Sequence, residues 1–232
     1  MANTKAEPKP EAKTTRGTQP KNGDRTKPTA ESRQRRAKSV AARTATKQTK
    51  SAKDTQQDQK GLVDLLEHGL KDMYYAERKI FRSLPKMIKA AEDAALVDAL
   101  TAHREETQGH IETLEAVFES MGLRPKAEKC DAIDGILTEA DSILEDFGGS
   151  MAGDAAIIFC ARAVEFYEIA RYTSMIGFAD ALGLDEVHQK LQSTLDQETS
   201  AESKLTGMAE GSINAAASEY DDDLEVAENV AV

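Results

Sequence analysis

Glutamates and histidines interrupt the apolar stripes of this sequence at helical spacing. Leu66, Leu70 and Met73 are followed by Glu77 before Ile80 and Leu84 resume the stripe. Leu96 and Leu100 lead through His103, Glu106 and His110 to Leu114 and Val117. Ile158 and Ala161 lead through Glu165 and Glu168 to Tyr172 and Met175, and Leu191 and Leu195 through Glu198 and Glu202 to Leu205. Steps of three and four residues hold each set on one helical face. Carboxylates pointed into an apolar interior repel one another, and an unpaired buried ion costs several kcal/mol even after relaxation. Protonation relieves that charge only with strongly raised pKa values. Few lysines or arginines share those faces, Arg162 being the candidate exception. Divalent metal is the simplest counter-charge, and oxygen ligands with one or two imidazoles suit iron or manganese, zinc less specifically. The rival reading is a metal-free structural bundle whose acids are protonated or paired.

A shared site needs the acids level with one another. In an antiparallel helical hairpin, facing residues are roughly equidistant from the turn. The midpoint of Glu77 and Glu106 is position 91.5, beside Glu92-Asp93, where the first two helices are expected to break. The midpoint of Glu168 and Glu198 is Gly183, and that of Glu165 and Glu198 is 181.5. Both hairpins therefore place their acids at matching heights. Within the second helix, His110 lies four residues after Glu106 and can share its metal. His103, three residues before Glu106, competes for that role but is better suited to hydrogen bonding behind a ligand. Tyr74, Tyr167 and Tyr172 lie near the acid layer as core filling or as hydrogen-bond partners. His68 and His188 read as surface residues, Cys160 as inert in an apolar helix, and Cys130 as partly exposed in a crossover.

The elements that must carry these residues follow from period 3.6. Leu62, Leu65, Leu66, Leu70, Met73, Tyr74, Ile80, Phe81 and Leu84 mark a first long helix, which Pro85 should kink or loosen. Leu96 to Met121 forms a second, closed by Gly122 and Pro125. A short, more exposed helix carries Ile133, Ile136, Leu137, Ile143, Leu144 and Phe147 and ends at Gly148-Gly149. A third long helix, capped at or near Asp154, runs to Gly183, and a fourth carries Leu184, Val187, Leu191, Leu195, Leu205 and Ile213. No segment alternates as a strand bounded by hairpin turns. The expected fold is all-α, a four-helix bundle of two long antiparallel hairpins joined by a short crossover helix.

Charge divides the chain sharply. Its 232 residues carry a formal charge of −11, but residues 1–60 hold +10 and residues 61–232 hold −21. The first 60 residues contain no Leu, Ile, Phe, Tyr or Trp and four of the six prolines, too little apolar surface to fold. The expected organisation is a disordered basic tail over 1–58, a bundle over 59–217 and an acidic tail over 218–232. The densest basic stretch, 32–53, suits sequence-independent contact with a polyanion such as DNA; without an interleaved aromatic, base stacking is not expected. No apolar run approaches the ~20 residues of a membrane span, and no hydrophobic leader is seen. Two cysteines make neither a disulfide framework nor a Cys-rich zinc site, so a soluble cytoplasmic protein is expected.

Asp72-Met-Tyr-Tyr-Ala-Glu77, Leu84-Pro-Lys-Met87, Glu105-Glu-Thr-Gln-Gly-His110, Leu114-Glu-Ala-Val-Phe118 and Val164-Glu-Phe-Tyr-Glu-Ile-Ala170 resemble the YciE/YciF family of ferritin-like proteins, as does the stretch from Thr194-Leu195 through Leu205-Thr206. The likeness spans roughly residues 61–216, with motifs in every long helix. It implies a ferritin-like bundle of a stress-associated bacterial protein, a dinuclear metal site and a homodimer. Carried over by position, the implied ligands are Glu77, Glu106, His110, Glu165, Glu168, Glu198 and Glu202. The implied function is stress protection through a dinuclear iron or manganese site that oxidises Fe²⁺ or consumes peroxide. The alternative is a DNA-associated protective protein whose bundle is a dimerisation scaffold. Two departures stand out. Di-iron carboxylate proteins pair Glu and His at i, i+3 on two helices, whereas here one pair is Glu106 with His110 and the other has Glu202 in place of the histidine. Phe166 stands where the family usually has histidine.

Overall fold

Five helices and a short π-helical extension account for the described residues of the computed structural model, which are Lys38 and residues 60–219. The remainder of the expected basic tail, and residues 220–232 of the expected acidic tail, lie outside the described residues; Ser218 and Glu219 belong to a helical end. The helices are α1 (Leu62–Ala90), α2 (Ala94–Ser120), α3 (Asp131–Phe147), α4 (Gly153–Leu182) and α5 (Asp185–Met208). A π-helical turn, Ala209–Ile213, prolongs α5 and buries Ala209 and Ile213.

Two tight turns set the hairpins. Asp93 caps α2, its carboxylate accepting the Leu96 amide at 2.9 Å, directly after α1 ends. Gly183 closes α4 in the left-handed conformation, φ 71°, which favours glycine because it has no Cβ. The long helices pack in a ring in which α1 touches α2 and α4, and α5 touches α4 and α2; α3 lies across α4 and α1. This is the ferritin-like arrangement of two antiparallel hairpins and a crossover helix. Fully buried Leu66, Leu70 and Met73 of α1, Leu96 and Leu114 of α2, Tyr172 of α4 and Leu191 of α5 fill its core. Among the described residues no helix is long and apolar enough to cross a membrane.

Pro85, expected to kink or loosen α1, is exposed, and α1 continues through it as one helix. Local expectations are amended in two places. Asp154 lies in the first turn of α4 but does not cap it: its carboxylate accepts the amides of Glu92 at 2.9 Å and Asp93 at 2.8 Å. It thereby pins the first hairpin's turn to the start of α4. Cys130, expected to be partly exposed, is buried, with Sγ 3.1 Å from the Tyr167 hydroxyl.

Candidate metal centre

Each long helix buries acid or imidazole at one level of the bundle. Glu77 comes from α1, His103 and His110 from α2, Glu165 and Glu168 from α4 and Glu198 from α5, and none is more than 6% exposed. They form two groups whose ligand atoms lie within 4.8 Å of one another. One group is His103, Glu165, Glu168 and Glu198; the other is Glu77, His110 and Glu198. Glu198 belongs to both.

The short distances run across helices. His110 Nδ1 lies 3.0 Å from Glu198 Oε1 and 3.6 Å from Glu77 Oε2, and His103 Nε2 lies 3.3 Å from Glu165 Oε1. Nevertheless, most of these atoms lack a well-directed hydrogen bond within the protein. The buried side-chain atoms without a partner include Glu77 Oε2, Glu165 Oε2, both oxygens of Glu168 and of Glu198, both nitrogens of His103, and His110 Nδ1. The other such atom is Arg104 Nε, whose guanidinium stacks 4.1 Å over the Phe81 ring. Among the described residues, unsatisfied buried polarity is therefore concentrated at one place. Buried polar groups are ordinarily hydrogen-bonded, and this concentration is one that could hold a metal ion.

Titration follows from the same geometry. Burial pushes Glu165 up to about 8, the Glu198 charge adding and His103 opposing. Burial, then the charges of Glu198 and Glu77, hold Glu168 well above the usual carboxylate range. Glu198 is raised by burial even though His110 pulls the other way. Burial disfavours charge on His110, but contacts with Glu198 and Glu77 overcome it and push the imidazole up to about 11. Burial likewise opposes charge on His103, yet the carboxylates of Glu106 and Glu165 raise it. Without metal, the cluster limits its charge by holding protons.

Supporting groups surround it. The Tyr172 hydroxyl, fully buried, donates to Glu77 Oε1. His110 Nε2 lies 3.0 Å from Gln197 Oε1; donation to that amide oxygen leaves the Nδ1 lone pair facing the cluster. Neighbouring Tyr74 instead donates to Glu115 at 2.7 Å.

Five of the seven sequence-expected ligands are brought together, and two are not. Glu106 sits on the rim, its side chain 31% exposed and 3.7 Å from His103 Nδ1, which lowers its pKa. His103 and His110 are seven residues apart, so the inward position between them falls at 106 or 107. Thr107 takes it, buried and donating to the His103 carbonyl at 2.8 Å, and Glu106 turns outward. The same holds in α5, where Ala201 is buried beside the cluster and Glu202 turns to Arg162. Glu202 Oε1 accepts from Arg162 at 2.8 Å and 3.0 Å and from Thr206 at 2.7 Å; the Thr206 bond, with Arg162, keeps its pKa below the ordinary value. His103, which spacing favoured as a supporting group, lies inside the cluster instead. Gln197 was missed altogether, since nothing but its adjacency to Glu198 marks it.

Known proteins of this fold match the same part of the chain. Residues 61–218 match the family described as a domain of unknown function, DUF892. The chain belongs to that family. Protein YciF of Escherichia coli (strain K12) is 37% identical over 156 residues, which is 67% of this chain and 94% of that protein. The crystal structure of the E. coli stress protein YciF superposes with a TM-score of 0.64 at 37% identity, covering 67% of this chain and 99% of that one. YcfI of Rhodopseudomonas palustris gives a TM-score of 0.63 at 44% identity, over 66% of this chain and 98% of that one. The DUF892 match begins at residue 61, so the basic N-terminal 60 residues lie outside it.

Proposed function

We propose that this chain is a ferritin-like protein of a bacterial stress response that holds two divalent ions, iron or manganese, and oxidises Fe²⁺ or consumes peroxide. The observation that carries the reading is the pair of overlapping ligand groups joined at Glu198, whose two oxygens both lack a hydrogen-bond partner. A carboxylate in both groups suits a bridging ligand. The donor set fits the ions: four carboxylates and two imidazoles are oxygen-rich and mixed with nitrogen, as iron and manganese prefer. Charge fits as well, since four ionised carboxylates beside neutral imidazoles balance two divalent cations. Glu77, His110 and Glu198 would hold one ion, and His103, Glu165, Glu168 and Glu198 the other. Bound ions would supply the redox chemistry at this centre. The protein's own part is orientation and exclusion of water. Gln197 sets the His110 tautomer, Tyr172 fixes the Glu77 carboxylate, and Glu106 steadies His103 from the rim. The stress role is supported by the name of the E. coli relative, and a reducing cytoplasm by two free, buried cysteines.

Metal analysis of untagged full-length protein tests the centre. About two ions per chain are expected, falling by at least half in Glu198→Ala. Fewer than one ion, unchanged by that substitution, would rule it out. The reading includes a homodimer, supported by the outward face of α4, where Phe159 and Phe166 are 66% and 53% exposed beside exposed Ala163 and Ala170. A second reading, favoured by the +10 charge of residues 1–60, is non-specific DNA binding. Equal, salt-insensitive DNA retardation by the full chain and by one beginning at Gln59 would eliminate it.

A further inference from the structure

A small pocket of about 20 Å³, room for one small molecule and partly open to solvent, lies between α1, α2, α3 and α4 and reaches the proposed centre. His103 and Glu165 line it, and both belong to the ligand group described above. The other walls are almost wholly aliphatic, with Ile80 and Leu84 from α1, Leu100 from α2, Leu137 from α3 and Val164 from α4. Beyond His103 and Glu165, its only polar side chain is Ser83. Half-buried Ser83 and Leu137 place its mouth beneath the crossover helix.

These walls select by charge. An ion entering them would lose its hydration and meet no compensating partner before the floor. A divalent cation, which keeps several waters, is poorly suited to such a passage. A small apolar molecule such as dioxygen loses little, whereas hydrogen peroxide would give up its hydrogen bonds to water. We infer that this pocket admits and holds dioxygen as the oxidant that reacts at the centre, apart from the route taken by metal. The inference rests on the metal-centre reading and adds the substrate class to it.

Xenon is a suitable probe, because it is small, uncharged and visible in crystals. Crystals of the full-length metal-loaded protein under xenon pressure should show the gas between Leu100 and Val164. Ala161→Leu, which fills the pocket from α4, should exclude it. In solution, Ala161→Leu and the mouth variant Leu137→Trp should slow oxidation by dioxygen by about tenfold or more while Mn²⁺ affinity changes less than about twofold. Leu137 is half-buried on α3, so Leu137→Trp keeps the test sound if Ala161→Leu does not fold. No xenon in the pocket, or wild-type rates with dioxygen in a folded, metal-loaded variant, would overturn the inference while leaving the centre intact. A wild-type protein holding fewer than one ion per chain would instead overturn the centre, and this inference with it.

Discussion

Replacing Glu168 by methionine should stabilise the metal-free protein and weaken its response to metal. Glu168 is fully buried, and neither carboxylate oxygen has a hydrogen-bond partner within the protein. Burial, reinforced by Glu198 and Glu77, keeps its pKa well above the ordinary value, so the metal-free protein holds it protonated near neutral pH. Even uncharged, an unsatisfied buried polar group costs about 1–3 kcal/mol. Methionine is similar in volume and needs no partner, so the chelated protein should gain about 1–3 kcal/mol, which for a domain of this size raises Tm by roughly 2–12 °C. Metal should reverse the order. At a hundredfold excess over Kd, an ion adds about 2.7 kcal/mol to the wild type, and a centre short of one of its four carboxylates should keep only a fraction of that. Calorimetric melting of wild type and Glu168→Met, each in chelator and in excess Mn²⁺, measures both signs. Two results would refute the reasoning: a chelated variant melting below wild type, or equal Mn²⁺ increments in the two proteins.

Other perturbations separate the roles assigned around the cluster. In chelator, Glu165, raised to about 8, contributes stability that is complete below its unfolded value near 4.5 and lost as pH climbs through 8. His110, raised to about 11, contributes stability complete below about 6.5 and lost towards 11. Metal-free Tm should therefore fall with rising pH, and a rise between pH 5 and 8 would contradict the protonation scheme. Gln197→Leu should leave the chelated fold intact yet weaken Mn²⁺ binding by about 10- to 100-fold, as measured by isothermal titration; unchanged affinity would remove Gln197 from the site. Arg162→Ala breaks a partly exposed ion pair and should cost about 1 kcal/mol or less with metal content unchanged. A change in metal content there would return Glu202 to the ligand set.

Height along the bundle was legible in the sequence, whereas rotation about each helix was only partly so. Apolar periodicity reports which side of a helix faces the core, and turn residues such as Gly183 report where a hairpin reverses; together they set Glu77, His110, Glu165, Glu168 and Glu198 on the inward faces and at the level where the structure gathers them. Successive residues on a helix differ by about 100°, however, and a face several residues wide leaves adjacent positions competing for the inward direction. Glu106 lost to Thr107, and Glu202 to Ala201, because neighbouring groups offered the acids better partners on the rim: His103 for one, Arg162 and Thr206 for the other. No periodicity encodes those partners. Asp154 shows the same limit, since an acidic residue in a first helical turn reads as a cap, yet here it holds a turn formed 61 residues earlier in the chain. The oxidant pocket was invisible for a further reason, as its walls come from four helices at once.

The charge arithmetic acquires a physical meaning at the cluster. Four carboxylates there count as −4 in the formal −21 of residues 61–232. Metal-free, raised pKa values keep protons on Glu165 and Glu168 and charge on His110 and His103, which brings the group close to neutral. Metal-loaded, two divalent cations beside neutral imidazoles would do the same. The two states would thus differ by an exchange of about four protons for two ions rather than by a large change in net charge. The field outside the bundle, and with it any attraction between the basic N-terminal residues and an acidic surface, is consequently almost indifferent to metal occupancy. Proton uptake and release, together with stability, are where occupancy is felt. This follows from enclosing the acids completely: a carboxylate shell open to water would stay ionised without metal, and loading it would reverse the local charge.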